Sequence, residues 1–311
     1  KKPVELERLV EIARVQSTEA SNKIEGIVTT SSRIRQLMSD KTTPRTRDEK
    51  EIMGYRDVLN TIHESYDFIP LRPSYILQLH RDLLKRTGLS YGGSFKNVQN
   101  YISETRSDGT QFTRFTPVAP YETPQAVEAI CNSYANTHAL GVIDPLILIP
   151  VFICDFLCIH PFNDGNGRMS RLLTTLLLYR NGFYVGKYIS LEAKIAQNKD
   201  LYYAALRQAQ EGWHEGTEDA VPFIKYLLGI ILSTYRDFED RFSLVEQKKP
   251  ALETVRQATL NKIGRFSKQD IRELCPALSV SSIEGALRKL VASGELKREG
   301  NGKSTCYYRL K

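Results

Sequence analysis

Between His160 and Arg171 the chain reads His160-Pro-Phe-Asn-Asp164-Gly165-Asn166-Gly167-Arg168-Met-Ser-Arg171, a concentration of groups suited to holding phosphate. Glycines on both sides of Asn166 let the backbone turn tightly and approach a ligand. At a helix start their free N–H groups and the helix dipole favour an anion. Arg168 and Arg171 stand three apart on one helical face, where two guanidinium forks can grip phosphate oxygens. Asp164 supplies a hard oxygen suited to Mg2+. His160 precedes the loop, where a neutral imidazole can accept the proton of a hydroxyl attacking a bound phosphate. Each residue has a plainer explanation taken singly: a capping or packed histidine, a Gly-Asn-Gly turn, an N-capping aspartate. Packing alone does not account for their conjunction in so short a stretch.

The elements around this stretch must position it. An apolar helix over Pro145–Ile159 runs into the loop and a second apolar helix, Leu172 to Tyr179, leads away. Upstream, helical spacing over residues 3–38 (Leu6, Leu9, Val10, Ala13) pauses at Ser21–Gly26 and resumes at Ile34, Leu37 and Met38, predicting two or three short helices. Further helices are expected through Ile52–Ile62 and from Pro73 to about Gly88. Between Tyr91 and Pro120 the pattern changes, and Val98–Ile102 and Phe112–Val118 around Ser107-Asp-Gly109 predict a β-hairpin. Helices resume at Thr123 and continue to about Phe242. The polar segment Glu246–Pro250 marks a domain boundary. Beyond it, helices at Leu252–Ile263, Ser267–Leu274 and Ser281–Ser293 precede two strands, Leu296–Arg298 and Cys306–Leu310, joined by a turn at Gly300–Lys303. This order is that of a winged helix-turn-helix. The expected fold is mainly α, with N-terminal helices over 1–70, a core over 71–245 and a small C-terminal domain over 251–311.

Composition sets bounds on function. The 311 residues, 41% hydrophobic and 25% charged, are ordinary for folded, soluble protein. The most apolar run contains Asp155 and falls short of a bilayer span, and the Lys-Lys-Pro start lacks an apolar signal core, so the expected location is cytoplasmic, with no membrane partner. Five cysteines without CxxC spacing support neither a disulfide framework nor a zinc knuckle, and Cys154 and Cys158 are expected to act as small hydrophobes. From Lys248 onward the net charge is +8, whereas residues 1–247 carry −1. The basic excess points to a nucleic-acid or acidic-partner surface at the C-terminal end.

The His160–Arg171 stretch fills every defined position of HPFx[DE]GNGRxxR, the signature of the Fic (filamentation induced by cAMP) family, which the sequence resembles over roughly residues 5–240. Gly93-Ser-Phe-Lys-Asn-Val-Gln-Asn-Tyr-Ile102 and Phe115-Thr-Pro-Val resemble that family's flap hairpin, and Leu201-Tyr-Tyr-Ala-Ala-Leu206 its nucleotide-pocket helix. The resemblance implies a Fic-fold helical bundle with a β-hairpin flap, and an adenylyltransferase that moves AMP from ATP to a Tyr, Thr or Ser hydroxyl of a target protein. It implies His160 as base, Asp164 as Mg2+ ligand, Gly165-Asn166-Gly167 as anion hole, and Arg168 and Arg171 as phosphate ligands. Asn100, Tyr101, Ile102 and Ser103 of the flap, with Tyr202, Tyr203 and Gln210, would complete the ATP site. Ser103 stands where the family usually has Gly, and Gln210 where some relatives place Asn. The flap would receive the target segment as an added strand. Self-modification and a homodimer are compatible with this reading.

Near the start, Ser21-Asn-Lys-Ile-Glu25-Gly26 reads plainly as a helix end closed by glycine. It also resembles the family's [ST]xxxE[GN] inhibitory motif, which implies that Glu25 pairs with Arg171 and keeps ATP from a productive pose. In some relatives the equivalent Glu instead assists removal of AMP. Two other readings stand beside this one. The first is a DNA-binding regulator working through residues 251–311, with the Fic part as nucleotide sensor, although Arg288 and Lys289 are the only basic groups of Val280–Ser293. The second keeps the fold but transfers phosphate or phosphocholine; Asp164 and both arginines favour AMP.

Overall fold

The computed structural model describes residues 2–105, 108–246, 250–260, 262, 264–300, 302 and 305–310. It is mainly helical and divides into two compact units, residues 13–234 and residues 1–12 with 235–311. In chain order the principal elements are α1 (Lys2–Ile24), α2 (Ser31–Met38), α3 (Arg47–Ser65), α4 (Pro73–Leu84), β1 (Ile102–Thr105), β2 (Gln111–Phe115), α5 (Thr123–Leu140), α6 (Pro145–Ile159) and α7 (Asn166–Arg180). They are followed by α8 (Leu191–Gln197), α9 (Lys199–Gln210), α10 (Val221–Glu246), α11 (Ala251–Leu260), β3 (Phe266–Ser267), α12 (Lys268–Leu274), α13 (Val280–Ala292), β4 (Leu296–Glu299) and β5 (Cys306–Arg309).

In the larger unit the two apolar helices flanking the signature are central. Between Leu148 and Ile159 of α6 only Val151 and Asp155 are not fully buried, and α7 is buried without interruption from Arg168 to Tyr179. Helices apolar on all sides belong in the middle of a bundle. Asp144 caps α6 by accepting from the Leu146 N–H at 2.8 Å, with Pro145 in the first turn. Thr46 caps α3 in the same way, accepting from Glu49 at 3.1 Å. Helices α3 and α4 cross tightly at Gly54, where a Cβ would lie 1.9 Å from the Leu83 carbonyl oxygen. That approach brings α4, and His80 on it, against the signature loop.

Two helices form up to Met38, within the expected two or three: α1, of 23 residues, and α2. The break falls a few residues later than the expected pause at Ser21–Gly26, since α1 runs on to Ile24. The polar residues at and before that pause are turned inward: Ser17, Thr18, Ser21 and Asn22 are all buried. Ser17 donates to Ser190 at 2.9 Å and the Asn22 amide to the Thr18 carbonyl at 2.8 Å. Buried hydroxyls with partners do not interrupt a helix.

The hairpin forms, but its first strand begins at Ile102 rather than Val98. β1 and β2 are antiparallel, with Ile102 opposite Phe115 and Glu104 opposite Phe112, and a bulge follows Ile102. Val98–Tyr101 stays outside the ladder, and two of its side-chain amides bond to other carbonyls: Gln99 Nε2 donates to that of Pro117 at 2.9 Å and Asn100 Nδ2 to that of Phe162 at 2.9 Å. Of the expected turn, Ser107 lies outside the described residues.

In the smaller unit, α11, α12 and α13 pack with a three-stranded antiparallel sheet of order β3-β5-β4 around Val255, Phe266, Ile271, Ile283, Leu287, Leu290 and Leu296. The expected pair of strands gains a third, β3. Ser267, expected inside a helix, ends that strand and caps α12 through a reciprocal box with Asp270. The expected turn residues Asn301 and Lys303 lie outside the described residues. Among the described residues no helix is long and apolar enough to cross a membrane.

Candidate active site

His160 ends α6 in the left-handed region, at φ 51, a conformation that non-glycine residues rarely adopt. Its N–H closes the helix onto the Phe156 carbonyl at 2.9 Å, and its Nδ1 lies 3.3 Å from the Leu157 carbonyl. That bond places the proton on Nδ1 and leaves Nε2 as the acceptor. Burial lowers the imidazole pKa to about 4, so the ring is neutral at pH 7. Neutrality and a free Nε2 are what a proton acceptor requires.

The loop beyond is built from its own side chains. Asn166 accepts from the Phe162 N–H at 2.9 Å and donates to the Phe162 carbonyl at 2.7 Å, pinning the turn to the first residue of α7. Gly165 caps α7 at φ 86, which a glycine adopts without strain. The first N–H groups of a 15-residue helix therefore face the loop mouth without helical partners.

Asp164 and Arg168 belong to one polar cluster. Arg168, 1% exposed, donates to Glu51 at 2.6 Å and to Asp164 at 3.2 Å. Glu51 also accepts from Arg47 at 2.8 Å. The Asp164 backbone is held as well, its carbonyl 3.0 Å from His80 Nε2, while His80 Nδ1 accepts from the Gly93 N–H at 3.1 Å. The second bond fixes the Nε2–H tautomer, and burial, which lowers the His80 pKa to about 4, keeps the ring neutral. The ring also stacks on Phe162, with centroids 3.6 Å apart. Arg168 thus faces inward and sets Asp164, whose side chain remains 38% exposed.

Arg171 faces the other way. It is 3% exposed and donates through Nε to the Ser21 hydroxyl at 2.8 Å, and through one terminal nitrogen to the Ser21 carbonyl at 2.9 Å and to Glu25 at 2.7 Å. Burial opposes its charge, but Glu25 leads the contributions that outweigh burial, and its pKa is raised. The Glu25 carboxylate lies directly over Gly167, where a Cβ would stand 2.3 Å from its oxygen. Gly26 follows at φ 79 and ends the segment. Glu25 therefore sits at the mouth of the glycine loop, on the ground an anion would take.

Along the far side, Tyr202 is buried, and Tyr203, 37% exposed, meets it edge-on at 5.2 Å. Burial raises both phenol pKa values, so neither carries charge near neutrality. Gln210 is 2% exposed and accepts from Arg114 of β2 at 2.9 Å, while Glu104 of β1 meets Arg207 of α9 at 2.9 Å. These bonds tie the hairpin to α9. Of the hairpin positions expected at the site, Asn100 bonds to the loop, Tyr101 is 59% exposed, and Ile102 and Ser103 are in β1. Among the described residues no three His, Cys, Asp or Glu gather as a protein-only metal cage.

A model of the Fic/DOC family matches residues 70–178, the span from α4 through the signature and most of α7. That match covers about a third of this chain. The "protein adenylyltransferase fic-1" of Caenorhabditis elegans is 27% identical over 186 residues, which are 58% of this chain and 32% of that protein. The "protein adenylyltransferase Fic" of Nematostella vectensis is 25% identical over 231 residues, 71% and 48% respectively. The chain spans between about a third and a half of these curated relatives. A solved Fic family protein from Desulfovibrio desulfuricans shares the fold, with a TM-score of 0.62 at 21% identity over 97% of this chain and 87% of that one.

Three buried polar residues around the signature loop escape a sequence reading. Glu51 fixes Arg168 from α3, 117 positions away. His80 looks like one more inward position of α4, and Lys96 like a surface lysine, yet Lys96 is 3% exposed and bonds to the loop. The one available signal was that these polar residues fall on otherwise apolar helical faces or inside the flap segment.

Proposed function

We propose that this chain is a protein adenylyltransferase that moves AMP from ATP to a Tyr, Thr or Ser hydroxyl of a target protein, and that Glu25 holds it off in the conformation described above. The observation that carries the reading is the Glu25 carboxylate, bonded to Arg171 at 2.7 Å and seated over Gly167. A carboxylate bound where N–H groups and a guanidinium converge marks a site built for phosphate oxygens. The names of the curated Fic relatives support adenylyl transfer.

In the proposed reaction a target hydroxyl, presented along the hairpin as an added strand, attacks the α-phosphorus of ATP. The new P–O bond forms as the bond to the β-phosphate oxygen breaks; His160 takes the hydroxyl proton and pyrophosphate leaves. The loop N–H groups and Arg171 neutralise the phosphates, and Tyr202 and Tyr203 flank the adenine side. Asp164 fits a Mg2+ carried in with ATP, since this ion keeps its waters and phosphate oxygens and needs only one or two carboxylates. When bound, it would neutralise phosphate charge. Arg168 contributes by holding Asp164.

The DNA-binding reading has less support. The order of elements over 251–311 fits a winged helix, but several basic side chains there are already paired: Arg256 with Glu295 at 2.7 Å, Arg265 with Glu299 at 3.0 Å and Lys268 with Glu284 at 2.5 Å.

The test follows label from ATP into protein with Mg2+ present, using chain with Glu25→Gly. Label at the α-phosphate is expected to become protein-bound and label at the γ-phosphate is not, and His160→Ala should lower the rate by about 10²–10⁴. Incorporation from the γ position would replace this reading with a kinase-like one.

A further inference from the structure

His160 holds a left-handed backbone at φ 51 at the end of a helix whose last carbonyls have no helical partners. Such a conformation is strained in a non-glycine residue and persists only where the surroundings impose it. The surroundings are two side chains and one N–H from the segment before the hairpin. Lys96 Nζ donates to the Ile159 carbonyl at 2.8 Å and its backbone N–H to that of Pro161 at 2.8 Å. The Asn100 amide donates to the Phe162 carbonyl at 2.9 Å and reaches that of His160 at 3.5 Å. Four successive carbonyls, 159 to 162, are met from one side by residues 96 and 100. Lys96 also donates to Asn100 Oδ1 at 3.0 Å, which fixes the amide with its nitrogen toward the loop.

This arrangement is costly as mere scaffolding. Lys96 is 3% exposed, its bonded partners are neutral oxygens, and burial lowers its pKa to about 8. A buried ammonium without a carboxylate is generally less favourable than an apolar side chain of the same length. We propose that Lys96, with the Asn100 amide it orients, is the positioning residue for His160, holding the four carbonyls and so the left-handed turn from which the imidazole acts. The proposal rests on His160 being the base of the reaction above. Its charge has a second effect: the charged groups acting on the His160 ring are Lys96, which lowers its pKa, and Glu25, which raises it.

The experiment compares Lys96→Met, which keeps the stem and removes the ammonium, with Lys96→Arg, in the 311-residue chain. The first readout is NMR: the titration of the His160 ring and the amide shifts of residues 159–162. It does not depend on any transfer activity. Lys96→Met is expected to move the titration midpoint up from about 4 toward the ordinary imidazole value and to displace those amides, while Lys96→Arg stays closer to the unmutated chain. The second readout is AMP transfer with Glu25→Gly present, where kcat should fall by about 10- to 100-fold with KM for ATP little changed, because small misplacements cost rates of that order. A folded Lys96→Met chain with unchanged His160 titration and amide shifts overturns the proposal. Should Lys96→Met fail to fold, Asn100→Leu decides through the same amide shifts, and their constancy overturns it equally. Absence of transfer in every variant, with the NMR changes present, would reject the adenylyl reading and leave the positioning role standing.

Discussion

Arg168 and Arg171 stand one helical turn apart on α7, both nearly without solvent exposure, and each is bonded to a glutamate at 2.6 or 2.7 Å. The two regions differ in what holds the glutamate. Glu51 lies within α3, 4% exposed, with its second oxygen taken by Arg47. Glu25 lies just past the last residue of α1, 30% exposed and followed by a left-handed glycine. Separating Glu51 from Arg168 would leave two buried charges, each with only a more exposed partner, Arg47 or Asp164. Separating Glu25 from Arg171 returns the carboxylate to water and leaves only the guanidinium, which a phosphate can take up. The same chemistry thus makes a strut in one place and, on the proposed function, a removable plug in the other, and the difference lies in the partner's exposure and its place on a helix.

The largest effect should fall on the strut. Breaking a buried pair by removing one member costs about 3–5 kcal/mol, so Arg168→Ala and Glu51→Ala should each lower unfolding free energy by that order in denaturant titrations. The double substitution should cost less than the two singles added together, since the second removal takes away a stranded charge. Losses under about 1 kcal/mol would erase the contrast between the two pairs.

At the plug the expected effect moves from stability to activity. Glu25→Gly should change stability by only about 1 kcal/mol, the range for a partly exposed pair, while raising AMP transfer tenfold or more, because about 1.4 kcal/mol of lost inhibition is already tenfold. Arg171→Ala should show no such rise, as it removes the proposed phosphate ligand along with the partner of Glu25. Initial rates at equal ATP concentration, taken with thermal melts of each variant, separate the two behaviours. A Glu25→Gly chain that melts far lower and transfers no faster would make Glu25 a second strut.

The contrast also marks how far the sequence could be read. The signature loop and the Glu25–Arg171 pairing were legible because their residues lie in short, dense motifs whose local backbone, a helix end and a helix start, is fixed by neighbours. The alternation of helices was legible from apolar spacing, and the hairpin from its turn residues. Glu51, His80 and Lys96 were not, because a buried polar residue gains its meaning from a partner 63 to 117 positions away, and spacing along the chain does not carry that information. The last turn of α1 is not legible for the same reason: Ser21 reads as the start of a break until its partner Arg171 is known. The first strand of the hairpin begins four residues later than the sequence suggests, and the Gln99 and Asn100 side-chain amides, whose partners lie outside the hairpin ladder, are likewise a tertiary fact.

The smallest effect, and the one that most sharpens the comparison, concerns Ser21. Its hydroxyl accepts from Arg171 Nε at 2.8 Å, while its carbonyl and Glu25 hold the guanidinium's other bonds. Ser21→Ala removes one hydrogen bond and leaves Nε buried without that acceptor, a loss of about 1 kcal/mol. The carbonyl and Glu25 remain, so the plug is weakened rather than removed. A loss of this size shifts an equilibrium by roughly fivefold, so transfer should rise by about that factor, less than with Glu25→Gly. The same change made together with Glu25→Gly should add little, because the carboxylate it helps to seat is already gone. Arg47→Ala offers the matching probe at the strut: that side chain is 62% exposed, and its loss should cost at most about 1 kcal/mol of stability, leaving Glu51 on Arg168. Rates at sub-saturating ATP for Ser21→Ala, Glu25→Gly and the pair decide the matter. Ser21→Ala matching the unmutated chain would confine the inhibitory contact to Glu25, and Ser21→Ala exceeding Glu25→Gly would place the hold on α1 itself.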